Sequence, residues 1–207
     1  MISENITTEY STKIDTAIDF SKLIYKNPIK ESTGHYTYIY QNHDNQEKKI
    51  VINSPYLKVC KEIFIRGSNA YIELELSNDN TDFFTFITDL EDNNLTIIYQ
   101  KSQEWFGKKL PFDVVDDFHK PFIKFSRKGK PKIRVNILVE DDEPVINDVS
   151  IDERISVKME YVGIKFLRQQ FTSVWRAINI KKEDSEYEFG DNNVYDNQDI
   201  LKTYDDF

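Results

Sequence analysis

A mainly β fold carrying a helical insertion is what this chain predicts, on three observations. Segments rich in β-branched and aromatic residues occupy both ends of residues 27–182, several alternating apolar with polar. Between them, over about residues 80–120, apolar residues recur at helical spacing instead. Aromatic residues make up 14% of the chain while Gly and Pro number six each, which sets aside low-complexity and collagen-like classes.

The elements follow in order. Residues 1–26 read as an arm, with Ile14, Ile18 and Leu23 near helical spacing in a short helix that Asn27-Pro28 ends. An irregular segment is the alternative. Strands are expected over 35–40 and 49–53, joined by the polar hairpin loop 42–47. A second pair, 56–65 and 70–76, turns at residues 66–69. In its second arm Tyr71-Ile-Glu-Leu-Glu-Leu76 alternates apolar in and acidic out.

Asn78-Asp-Asn-Thr81 then supplies capping residues, and Phe83, Phe86, Ile87 and Leu90 follow on one helical face. A separate helical stretch is expected over 95–105, with Ile97, Ile98 and Trp105 inward. A third helix runs over 111–118, with Pro111 at its start, and His119-Lys120-Pro121 stops it. Strands resume at 132–139 with Ile133, Val135, Ile137 and Val139 on one face. An acidic link covers 140–152, and a long closing hairpin runs over 154–167 and 171–181. The apolar positions in its second arm are Phe171, Val174, Ala177, Ile178 and Ile180.

Seven or eight strands around a helical cap make an OB-fold-like barrel the simplest architecture. A β-sandwich with a helical insertion is the alternative. The expected organisation is an arm (1–26), a β domain (27–182) and an acidic, disordered tail (183–207).

Charge is segregated. The chain carries −9 overall, yet residues 183–207 hold nine acidic residues against Lys202, so the rest is nearly neutral. Residues 101–134 hold ten basic and four acidic residues. The tail has Tyr187, Phe189, Tyr195 and Tyr204 but little aliphatic content, too little to order itself.

Enzyme signatures are missing. No Gly-x-Gly-x-x-Gly, P-loop or Gly-x-Ser-x-Gly motif occurs. His35, His43 and His119 fall on a strand, a loop and a helix end and read as structural, so neither metal nor cofactor is expected. Cys60, the one cysteine, permits no intrachain disulfide and reads as a small buried hydrophobe. The start has no signal-peptide pattern, and no apolar run is long enough for a membrane span. The expected location is intracellular, in cytoplasm or nucleus or inside a virion.

Cations interleaved with rings point to single-stranded nucleic acid, which offers a charged backbone and unstacked bases. The candidates are Trp105, Phe106, Lys108 and Lys109, then Lys124, Arg127, Lys128, Lys130 and Lys132, and on the closing hairpin Arg168, Trp175 and Arg176. The competing reading makes these rings core and these lysines a solvated surface. At the other end Tyr204, Asp205, Asp206 and Phe207 combine carboxylates with an aromatic ring, a pattern suited to a basic pocket on a partner protein. The tail could also enter the cationic groove as a mimic of the nucleic-acid backbone.

Three runs carry a family resemblance: Glu104-Trp105-Phe106-Gly107-Lys108-Lys109, Phe171-Thr-Ser-Val-Trp175-Arg176, and Asp205-Asp206-Phe207. With most of residues 25–181 they resemble the single-stranded DNA-binding proteins of large nucleocytoplasmic DNA viruses, distant relatives of the short-tailed phage replication proteins. That resemblance implies an OB-fold and sequence-independent binding of single strands in viral DNA replication or recombination. It also implies a tail that recruits replisome proteins, a polymerase or a helicase–primase. A homodimer is left open. The alternative function is a virion structural or scaffold protein without nucleic-acid affinity.

Overall fold

The structure, a computed structural model, describes residues 18–66, 69–127, 129–140, 143–144, 146 and 148–183. The acidic tail beyond residue 183, the first part of the arm, and Lys128 lie outside the described residues.

Among the described residues there are fourteen strands and two α-helices: β1 (Leu23–Tyr25), β2 (Ile29–Glu31), β3 (Gly34–His43), β4 (Gln46–Lys48), β5 (Ile50–Asn53), β6 (Leu57–Val59), β7 (Phe64–Arg66), β8 (Asn69–Glu75), α1 (Thr81–Phe106), α2 (Phe112–Phe118), β9 (Lys124–Ser126), β10 (Gly129–Ile137), β11 (Val139–Glu140), β12 (Glu143–Pro144), β13 (Arg154–Phe166) and β14 (Phe171–Lys182). The fold is mainly β, with 49% of the described residues in strand and 25% in helix.

Five strands close a barrel. Around the ring, β6 pairs antiparallel with β8 and β8 with β10. Next, β10 runs parallel to β14, β14 pairs antiparallel with β13, and β13 returns antiparallel to β6. Closure excludes a two-sheet sandwich, because the fifth pairing leaves no free edge in the ring. The helices sit between β8 and β10, as the expected insertion between middle strands requires. Strands β1 to β5 extend the wall on the β13 side, with β3 against the second half of β13 and β5 against its middle.

Alternation fills the interior. Ile72 and Leu74 on β8, Ile133 and Val135 on β10, and Val157 on β13 are all buried. On β14 the inward set is Phe171, Ser173, Trp175 and Ala177, while Ile178 is exposed and Val174 half-buried.

Three local expectations are corrected. Residues 23–25 form strand rather than helix, paired with β3. The 42–47 loop shrinks to a two-residue turn at Asp44 and Asn45, both with positive φ, and β5 pairs with β13 rather than with β3. The two helices expected over 81–105 are one helix of 26 residues. In its polar middle Glu91 and Asn94 are buried against tertiary partners. Glu91 accepts from the Phe122 N–H at 3.0 Å and from Ser173 Oγ at 3.1 Å. Asn94 donates to the Tyr161 hydroxyl and accepts from that of Tyr25. These two polar side chains thus rivet the helix to the barrel.

Candidate nucleic-acid interface

The outward rows of β8 and β10 form one face. On β8, Tyr71, Glu73 and Glu75 alternate with the buried Ala70, Ile72 and Leu74. On β10, Lys132, Arg134 and Asn136 do the same. Register sets Lys132 beside Glu75, Arg134 beside Glu73 and Asn136 beside Tyr71. The neighbouring strands continue the rows: Phe64 lies opposite Tyr71, Lys124 opposite Lys132 and Arg176 opposite Asn136.

Ion pairs and rings organise this face. Glu73 takes Arg134 at 2.8 Å and Lys61 at 3.1 Å, and Glu75 takes Lys130 at 3.2 Å. The hydrogen bond from Arg134 holds the Glu73 carboxyl below its usual range, with Lys61 adding to it. Burial pushes the Lys124 ammonium down, and the charge on Arg134 pushes the same way, a sign of crowded cations. The Arg134 guanidinium lies 4.1 Å over the Tyr71 ring, and Phe64, 43% exposed, stacks on that ring at 4.8 Å.

The sequence-predicted residues divide into three groups. Lys124, Arg127, Lys130 and Lys132 come together on the β9–β10 hairpin, and Lys124 and Lys132 share the face. Trp105, Phe106, Lys108 and Lys109 sit at the far end of α1. Phe125 meets Phe84 near the start of α1, and the roughly six turns from Phe84 to Phe106 span about 33 Å. The run 101–134, read from sequence as one site, is therefore two. At the helix end Trp105 is half-buried, edge-on to Phe166 and hydrogen-bonded through Nε1 to Asn27. Phe106 packs on the same Phe166, and Lys109 lies 4.3 Å over Tyr99. Arg168 is exposed in the turn that follows Phe166.

Trp175 is a correction. It is 1% exposed, in the barrel core against Tyr161 and Phe122, and cannot stack on a base. Its neighbour Arg176 points outward, because strand alternation separates the two. Cys60 is also corrected: it is half-buried beside this face, and burial pushes its thiol pKa up, so it is no reactive thiolate. Phe125, 70% exposed, is one residue past Lys124 and so faces the other side of the hairpin, toward α1.

Sequence reasoning missed Lys61, Phe64, Tyr71 and Arg134. Two signals could have found them. The alternation of residues 71–76 fixes which side chains point out. The short segment 60–66 carries cations and a ring with no apolar period that would make it core. His119 stacks on Phe171 with Nε2 3.3 Å from Glu91. Among the described residues no group of His, Cys, Asp or Glu could hold a metal ion, and no helix is long and apolar enough to cross a membrane.

These features define a class, a closed five-stranded barrel with a cation-and-ring face on its second and third strands. Residues 62–195 match the model of a family of unknown function (DUF5871), and the chain belongs to that family. No curated protein and no solved structure matches it.

Proposed function

We propose that this protein binds single-stranded DNA, without sequence preference, across the outer face of β8 and β10. The observation that carries the proposal is the convergence on that face of Lys61, Lys124, Lys130, Lys132 and Arg134 with the exposed Phe64 ring. Phosphates would take the cations, and a base would stack on Phe64.

Strand order supports assigning the barrel as an OB-fold. Counted along the ring strands, the first three pair in sequence, the third meets the fifth in parallel, and the fourth closes on the first. OB-folds bind oligonucleotides on the face of their second and third strands and through the loops joining strands one to two and four to five. Here the described part of the first connection, residues 60–66, brings Lys61 and, on β7, Phe64 and Arg66, and the second, residues 167–170, brings Arg168. On the sequence resemblance to viral single-stranded DNA-binding proteins, the process it would serve is DNA replication or recombination. Charge segregation supports a role for residues 183–207 as a docking arm for replication proteins and as a competitor for the face.

Fluorescence anisotropy with labelled oligo-dT tests this. Binding should weaken as salt rises. Phe64→Ala should weaken it roughly tenfold, the loss of one stacking platform worth about 1–3 kcal/mol. Lys124→Ala with Lys132→Ala should reduce the salt dependence, and Lys108→Ala with Lys109→Ala at the distant helix end should matter far less. Removing residues 184–207 should tighten binding. The proposal fails if neither the full chain nor the shortened one binds oligo-dT at low salt.

A further inference from the structure

Three of the cations on the β8–β10 face, Lys61, Lys130 and Arg134, are already engaged by carboxylates. Glu73 holds Arg134 and Lys61, Glu75 holds Lys130, and Lys132 stands beside Glu75 in register. Both carboxylates are on one strand, two residues apart and pointing the same way, so they repeat at about 7 Å along β8. That is a short row of anions laid along the row of cations. Resting on the nucleic-acid reading above, we infer that Glu73 and Glu75 act as built-in stand-ins for backbone phosphate, so that the face accepts a polymeric strand and refuses single anions such as a mononucleotide or free phosphate.

The physical reason is exchange. A phosphate must displace a carboxylate that is tethered to the same face and so competes at high effective concentration. One phosphate replacing one carboxylate exchanges like for like and gains little. A strand displaces several carboxylates at once and adds stacking on Phe64, so its advantage grows with each unit engaged. The exchange also mutes the salt response, because the freed carboxylates recruit cations as the phosphates shed theirs.

The test compares wild type, Glu73→Gln with Glu75→Gln, and a control pair on the exposed face of α2, Asp113→Asn with Asp117→Asn, which changes net charge equally. Anisotropy with labelled oligo-dT is read at several salt concentrations, with unlabelled thymidine monophosphate and inorganic phosphate as competitors. The glutamine pair should bind oligo-dT at least tenfold tighter than wild type, with a steeper salt dependence and new sensitivity to both small competitors. The control should shift affinity less than threefold. Glu75→Gln alone leaves the Glu73–Arg134 pair intact and should move the same way by a smaller factor, which keeps the test open if the double variant does not fold. Equal gains in the glutamine and asparagine pairs would overturn the inference while leaving strand binding standing. So would displacement of wild type's oligo-dT by the small anions. Absence of oligo-dT binding by every chain would sink the nucleic-acid reading and this inference with it.

Discussion

Single residues matter here mostly where two strands approach closely or where the interior is full. At Gly163 the backbone has φ +140, and a Cβ would sit 2.0 Å from the Thr37 carbonyl oxygen. β13 carries a bulge between Tyr161 and Gly163, and its antiparallel pairing with β3 begins there, Gly163 opposite Tyr38. Gly163→Ala should therefore cost about 3 kcal/mol or more in urea unfolding, from overpacking added to backbone strain. Gly107 is the contrast. It ends α1 at φ +71 with open space around it, so Gly107→Ala should cost only the left-handed penalty, about 1 kcal/mol. Trp175 sits among the largest fully buried side chains. Trp175→Ala should lose about 3–5 kcal/mol of stability. Any fall in DNA binding should then track the unfolded fraction, measured by circular dichroism on the same samples.

At the scale of elements, α1 is held by polar bonds as much as by its apolar stripe of Phe83, Ile87, Leu90 and Ile98. Glu91 is 5% exposed and Asn94 is 2% exposed, and both reach barrel partners. Glu91→Ala should cost about 3 kcal/mol, because the Phe122 N–H and the Ser173 hydroxyl lose their acceptor inside the protein. Glu91→Gln keeps an oxygen in place and should cost less. Denaturant midpoints of the two variants check the order. The same helix separates the aromatic-basic segment into two clusters, which explains why a run that is contiguous in sequence is not contiguous in space.

Across the whole molecule, charge links stability to pH. Glu73 has its carboxyl held below the ordinary value of 4.5 by Arg134, so the folded state binds that proton less readily than the unfolded chain does. Its contribution is complete above the ordinary carboxylate range and is lost as pH falls through the lowered folded value. Stability should thus rise with pH through that window, and Glu73→Gln should flatten the rise. Unfolding midpoints measured downward from neutral pH through the carboxylate range decide this. A wild-type profile no steeper than that of the variant would contradict it.

The local pattern of the chain determined the longer strands, the inward and outward sides of β8, the helical insertion and the segregation of charge, because each depends on neighbours in sequence. Tyr71 to Leu76 shows this: its alternation alone says which side chains leave the core. Which of those side chains meet was decided by tertiary structure. Pairing of β8 with β10 across the helical insertion brought β7, β8, β10 and β9 side by side and set Phe64, Tyr71, Arg134 and Lys124 on one face. Burial by barrel partners also carried α1 through Glu91 and Asn94, and the filled interior claimed Trp175. Pairing register and the satisfaction of buried polar groups depend on residues tens of positions away, and no local period records them.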